Sequence, residues 1–237
     1  MPGTLYLIPS ALGDTPWSRY LAPESRDIAC RLEYFIVENA RSARAELKRL
    51  GHPGPLQALA IVQLPGRVQL EQIDTLLQPL LEGRDVGMLC EAGCPAVADP
   101  GAFVARRAHA HGITVQPLVG ASSLLLALMA SGLDGQRFAF HGYLPQHDPE
   151  RAKRIRQIEQ DSRGQRQTQM FIETPYRNRA LFDALLAALH ADTWLCVACD
   201  LTLPEALVAT RRIVEWKKLP PPHIERRPTV FLLLSGD

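Results

Sequence analysis

The sequence has no long apolar run. Its longest strongly apolar stretch, residues 124–130, falls far short of the roughly 20 residues that a membrane-crossing helix needs, so no membrane partner is expected. It has no leader pattern either: Met1, Pro2 and Gly3 run straight into a strand-like segment. Secretion is therefore not expected, and a cytoplasmic location is. Charge of one sign is scarce, with 26 Lys and Arg against 25 Asp and Glu. No overall field advertises a nucleic-acid partner, which would have to be met by a local patch. The five cysteines are an odd number in a chain without an export signal, which argues against a disulfide framework. Cys196 and Cys199 have metal-like spacing, but in a strand-like run residues three apart face opposite sides, so packing is expected and no metal site. The usual nucleotide and hydrolase signatures are missing too. No G-x-G-x-x-G follows the first strand pattern, and there is no G-x-x-x-x-G-K-[ST], H-E-x-x-H or G-x-S-x-G.

What remains is an ordinary globular composition, 237 residues of which 46% are hydrophobic, enough for one large domain or two small ones. Short apolar runs alternate with helical stretches, the pattern of β-α units around mainly parallel sheets. Strands are expected at residues 4–9, 34–37, 59–64, 86–90 and 114–119, mostly apolar throughout, as strands buried on both faces are. Helices are expected at 69–81 and, behind the Asp99-Pro100 pair as cap and first residue, at 103–111. The second half reads as a small apolar helix at 122–129, a strand at 138–143, a charged helix at 150–160 and a strand at 169–173. A helix at 179–189, a strand at 194–200, an ambiguous segment at 207–216 and a strand at 229–234 follow. The fold class is α/β, with an N-terminal domain over 1–118 and a C-terminal one over 119–237; no repeat or Gly/Ser linker intervenes.

In parallel sheets ligands bind beyond the carboxyl ends of the strands. There the sequence has loops of small residues: Pro9-Ser10-Ala11-Leu12-Gly13 after the first strand, Glu91-Ala92-Gly93-Cys94-Pro95 through Asp99-Pro100-Gly101 after the fourth, and Gly120-Ala121-Ser122-Ser123 after the fifth. Such loops let a backbone approach a flat ligand and offer it N–H and C=O groups. They also read as plain tight turns, and Ser122 as a helix cap.

Taken in order, these loops together with Gly3-Thr4-Leu5-Tyr6, Val37-Glu38-Asn39, Ser131-Gly132-Leu133, Arg137-Phe138, Gly142-Tyr143-Leu144-Pro145, Glu173-Thr174-Pro175-Tyr176-Arg177 and Asp200-Leu201-Thr202 carry a resemblance. The chain resembles the tetrapyrrole methylase family, and within it the ribosomal small subunit methyltransferase I branch, whose members methylate a ribose 2′-hydroxyl of 16S rRNA. The resemblance implies two α/β domains with S-adenosylmethionine in the cleft between them, and a homodimer. It also implies cofactor contacts at Pro9, Ser10, Gly93, Pro95, Ser122, Ser123 and Leu144. The chain departs from the branch at Glu38-Asn39-Ala40-Arg41 and at Cys94, and it resembles a short form that stops after the last expected strand. A methyltransferase acting on a small molecule such as a tetrapyrrole, and a member that binds without turnover, are the alternative readings.

A sulfonium methyl is already electrophilic, so positioning is the protein's main task. A hydroxyl acceptor must also lose its proton, for which Glu38, Glu173 and Asp200, each at a strand end, are the candidate bases. Each reads equally as a cap or as an ion-pair partner of an arginine such as Arg41 or Arg177. For ribosomal RNA as partner, residues 150–167 set six basic against three acidic residues, and Arg41, Arg44, Lys48 and Arg49 form a second cluster; either could track phosphates or be a solvated face. His141 and His147 read as loop residues.

Overall fold

The computed structural model describes residues 1–66 and 70–236; Gln69, the first residue of one expected helix, lies outside the described residues. The chain divides into two compact units, Met1–Ser122 and Ser123–Asp237.

The first unit is a five-stranded parallel sheet in the order β3-β2-β4-β1-β5. Its strands are β1 (Thr4–Ile8), β2 (Tyr34–Val37), β3 (Ala60–Gln63), β4 (Val86–Leu89) and β5 (Thr114–Pro117). Helices α1 (Pro23–Arg31), α2 (Ala40–Leu50), α3 (Leu70–Leu81) and α4 (Gly101–Ala110) connect them. Alternation along the strands sends Tyr6, Ile8, Phe35, Val37 and Leu89 into a core with α1 and α2, and Leu5, Ile36, Val86 and Met88 into a core with α3 and α4. Burial on both faces explains why β1, β2 and β4 read as continuous apolar runs. The sheet edges, β3 and β5, are mostly exposed. The sequence marks α2 with its own punctuation: Asn39 Oδ1 accepts from the Arg41 and Ser42 amides at 2.8 and 3.2 Å, and Gly51 closes the helix at φ +73°. The α4 helix begins two residues before the expected 103, with Pro100 as its cap residue and Asp99 Oδ1 accepting from Gly101 N at 2.6 Å.

The second unit departs from a mainly parallel reading. Its order is β6-β7-β10-β8-β9, built from β6 (Phe138–Tyr143), β7 (Thr168–Ile172), β8 (Trp194–Cys199), β9 (Leu207–Arg212) and β10 (Thr229–Leu234). Only β6 and β7 pair in parallel; β10 is antiparallel to both its neighbours and β9 to β8. Helices α5 (Ser123–Ser131), α6 (Glu150–Gln165), α7 (Asn178–Ala188) and α8 (Ile213–Trp216) complete it. The ambiguous 207–216 segment is strand β9 followed by the single turn of α8. On one face α6, α7 and α8 cover Phe171, Leu195, Val197, Cys199, Phe231 and Leu233; on the other α5 covers Met170, Cys196, Ala198, Val230 and Leu232. Cys196 and Cys199 thus sit in different cores on opposite faces of β8 as buried free thiols. Among the described residues no group of His, Cys, Asp and Glu could hold a metal, and no helix is long and apolar enough to cross a membrane.

Candidate functional site

Because β1, β2, β4 and β5 run the same way and are contiguous around β1 and β4, the loops leaving them must emerge at one edge of the sheet. Hydrogen bonds stitch those loops together. Ser10 and Gly93 exchange both backbone bonds, at 2.8 and 3.1 Å, and Ser10 Oγ donates to Cys90 O at 2.9 Å. Cys94 Sγ reaches Ala121 O at 3.5 Å, Ala121 N donates to Tyr20 O at 2.7 Å, and Glu91 N donates to Glu38 Oε2 at 3.1 Å. The contact between the first and last of these loops requires a glycine: a Cβ at Gly120 would lie 2.5 Å from Pro9 Cβ.

The loop after β4 holds strained backbone. Gly93 (φ +76°), Ala96 (φ +67°) and Ala98 (φ +61°) are all left-handed, a conformation that costs an alanine on the order of 1 kcal/mol or more. Asp99 secures the turn through Oδ1, which accepts from Ala96 N at 2.9 Å and Gly101 N at 2.6 Å, while its Oδ2 is buried without a partner among the described residues. Burial holds the Asp99 carboxyl above the ordinary carboxylate range, and the nearby Glu38 charge adds to this. Burial likewise pushes the Cys90 thiol up to about 12, with Asp99 and Glu38 contributing. Sequence reading placed Asp99 in this loop as a helix cap but left it out of the cofactor contacts.

It missed Glu46 as well. This glutamate is only 4% exposed. Its Oε1 accepts from Ala11 N at 3.3 Å and from the Tyr20 hydroxyl, and its Oε2 pairs with Arg49 at 2.6 Å. Arg49 in turn reaches Asp14 at 3.3 Å. One buried carboxylate therefore anchors the loop that begins at Pro9 and Ser10 to α2 and to Tyr20.

The structure brings Pro9, Ser10, Gly93 and Ser122 into these loops at the edge of the first sheet, with Pro95 buried in the turn after Gly93. Glu38 stands on the same edge and, among the described residues, makes no ion pair; its expected partner Arg41 is exposed. Ser123 and Leu144 belong to the second unit, where Ser123 opens α5 and Leu144 is buried after β6. Glu173 and Asp200 also lie in the second unit, past the carboxyl ends of β7 and β8, and both are committed to arginines. Glu173 pairs with Arg177 at 2.7 Å and Asp200 with Arg227 at 2.6 Å.

Part of the basic charge on this stretch is engaged: Arg151 pairs with Asp148 and Arg154 bonds His141, while Lys153, Arg156, Arg163 and Arg166 are exposed, Arg163 with a bond to the Ser235 hydroxyl. His141 is a strand residue on β6, unlike the loop residue expected. Its Nε2 meets Gln169 Oε1 at 2.6 Å and its Nδ1 meets Arg154 Nη2 at 3.0 Å. A cavity of about 420 Å³ lined by Cys30, Leu32, His52 and Pro53 opens near the start of β2, away from the rim. Its most reactive atoms are taken, His52 Nε2 by Leu32 O and Cys30 Sγ by Leu50 O.

Comparison with known proteins agrees with this architecture. The methyltransferase CobJ superposes with a TM-score of 0.63 at 19% identity, covering 99% of this chain and 94% of its own. A ribosomal RNA small subunit methyltransferase I of Xylella fastidiosa is 31% identical over 180 residues, which are 74% of this chain and 60% of that protein. One from Streptococcus pyogenes serotype M3 is 30% identical over 200 residues, 84% of this chain and 65% of that protein. The chain thus spans roughly two thirds or less of the length of these relatives. Residues 19–215 match the family described as Tetrapyrrole (Corrin/Porphyrin) Methylases, and the chain belongs to that family.

Proposed function

We propose that the chain is an S-adenosylmethionine-dependent methyltransferase whose acceptor is a ribose 2′-hydroxyl of ribosomal RNA, working as a cytoplasmic homodimer. The observation that carries the reading is the stitched rim, in which loops from β1, β4 and β5 interlock through Ser10, Gly93, Cys94 and Ala121. The residues fit such a cofactor. The left-handed backbone at Gly93, Ala96 and Ala98 shapes a tight turn of small residues, and Asp99 Oδ2, buried in that turn, is a polar atom without a partner among the described residues that a bound nucleoside would satisfy. Pro9, Ser10, Gly93, Pro95 and Ser122 would hold it; Ser123 and Leu144 carry the same assignment from the sequence resemblance alone.

When bound, the cofactor supplies an electrophilic methyl group. The protein's part is to hold the acceptor in line with it and to take a proton. Of the three candidate bases, Glu38 is best placed to do so. It lies on the rim, without an ion-pair partner among the described residues, with Oε2 held by Glu91 N and Oε1 left to receive the proton. Glu173 and Asp200, neutralised by Arg177 and Arg227, are better suited to fixing loops. The relatives named as ribosomal RNA methyltransferases support the RNA acceptor. The exposed Leu125 and Met129 on α5, a helix apolar on all sides, support the homodimer.

Two measurements test the reading: calorimetric titration with S-adenosylmethionine, and transfer of a labelled methyl group to small ribosomal subunits by the wild-type chain and by Glu38→Gln. The expected result is cofactor binding by both, with transfer lost in the variant by about a hundredfold or more. Failure of the wild type to bind cofactor would overturn the proposal.

A further inference from the structure

The Glu173-Thr174-Pro175-Tyr176-Arg177 segment is not needed by the cofactor rim, and its tyrosine is 81% exposed. An aromatic ring of that size so open to water on a floppy loop would be unremarkable, but this one stands on fixed backbone. Pro175–Arg177 is a 3-10 turn, with Arg177 N donating to Thr174 O at 2.9 Å. The next residue, Asn178, is fully buried, and its Nδ2 lies within hydrogen-bond distance of Ile224 O, Arg227 O and Thr229 Oγ1 at 3.2, 2.6 and 3.1 Å. These contacts sew the loop before β10 onto the tyrosine's own turn.

That loop carries Arg226, whose backbone N donates to Pro175 O at 2.9 Å and whose φ is +60°. The left-handed conformation is unfavourable for an arginine, and it accompanies a guanidinium carbon 5.9 Å from the centre of the Tyr176 ring. Among the described residues Arg226 makes no ion pair, so its charge is open to an anion. A second tyrosine, Tyr143, is 58% exposed at the end of β6, the parallel neighbour of β7, so both rings lie at the same edge of the second sheet. Leu144, assigned above to the cofactor, is the residue after it.

A rigid, exposed aromatic flanked by an uncommitted arginine has the chemistry of a base-stacking site: every nucleobase offers a π-face, and the adjoining phosphate meets the cation. We propose that Tyr176, with Arg226 over its ring and Tyr143 at the same edge of the second sheet, is a stacking platform for an unpaired nucleobase of a single-stranded RNA segment. The proposal rests on the RNA reading above and adds where and how the strand is gripped.

The test uses the full chain and a short fluorescein-labelled single-stranded RNA, with a duplex of the same sequence as comparison, read by anisotropy at low salt. Tyr176→Ala should weaken single-strand binding about five- to a hundredfold, while S-adenosylmethionine affinity and the circular dichroism spectrum stay unchanged. Tyr176→Trp should bind as well as wild type or better, since stacking needs only a flat ring, and Arg226→Ala should weaken binding and flatten its salt dependence. Unchanged binding by folded Tyr176→Ala, or loss in Tyr176→Trp equal to that in Tyr176→Ala, would overturn the platform while leaving the RNA reading intact. A change in sedimenting mass of Tyr176→Ala would also overturn it, by placing the ring at a subunit contact. A wild-type chain that binds cofactor but no RNA would instead sink the RNA reading, and the platform with it.

Discussion

Replacing Glu46 tests whether the first loop is held by one buried carboxylate. In Glu46→Ala the Ala11 amide and the Tyr20 hydroxyl, both buried, lose their acceptor. Each orphaned donor costs about 1–3 kcal/mol. Arg49 is 27% exposed in its side chain and recovers part of its loss from water. The sum, about 3–5 kcal/mol, matches what is usual when one partner of a buried pair is deleted. Glu46→Gln keeps an acceptor for Ala11 and Tyr20 but turns an amide NH2 toward Arg49, whose guanidinium loses its acceptor and turns to water, so it should cost about 1–2 kcal/mol. Urea unfolding followed by circular dichroism reads both values from the shift in midpoint at constant slope. A Glu46→Ala protein within about 0.5 kcal/mol of wild type, or a glutamine variant as unstable as the alanine one, would refute the reasoning. The network also has an alkaline signature. Burial and the bond to Glu46 raise the Tyr20 hydroxyl above its ordinary range, so the folded state keeps a proton that the unfolded state sheds above pH 10. Stability from this group is complete below pH 10 and is lost as pH rises past it. The difference between wild type and Tyr20→Phe should therefore shrink above pH 10.

Other outcomes follow from single residues. Gly120→Ala would press a Cβ to within 2.5 Å of Pro9 and 3.1 Å of Tyr20 O. It should lower stability by about 1–3 kcal/mol and weaken S-adenosylmethionine binding in calorimetry, whereas Gly135→Ala, with nothing within 4 Å, should do neither. On the first unit, Arg107 and then His111 hold Asp74 well below the usual carboxylate range through bonds of 2.5 to 2.9 Å. That stabilisation is present above the unfolded carboxyl's pKa of 3.8 and is lost below it as pH falls through the depressed folded value. Thermal melts of wild type and Asp74→Asn should therefore converge only at strongly acid pH. With burial lifting Cys90 to about 12 and Cys196 to about 11, neither should be alkylated in the native protein at pH 7.5, while all five thiols react in urea. Mass spectrometry after timed quenching would reveal early labelling of either residue, against expectation.

The strands of the first unit were legible because burial on both faces writes itself as uninterrupted apolar sequence, as in Val86–Leu89. The turn residues after β1, β4 and β5 were legible because close backbone approach demands small side chains, and the parallel order then had to place them together. Strand direction in the second unit was not legible: β10 reads like any buried strand, and its antiparallel pairing to β7 and β8 is decided by partners 58 or more and 30 or more residues away. Glu46 was hidden in the charged run Ala45-Glu46-Leu47-Lys48-Arg49, which resembles a solvated helix face. A signal did exist, since position 46 falls on the helical stripe of Ala43, Leu47 and Leu50, all buried. What the sequence could not supply is Tyr20, folded back from the preceding connection to make that position tenable.

The central place of β10 has a consequence for how the molecule is made. Every strand of the first sheet has been synthesised once residue 117 has been added, so that half can close while translation continues. The second sheet has its keystone last: until residues 229–234 exist, β6-β7 and β8-β9 are two hairpin-sized fragments with nothing between them. If the first half closes as it is made, the nascent protein carries a finished half ahead of an unfinished one whose apolar strands wait for a single six-residue insertion.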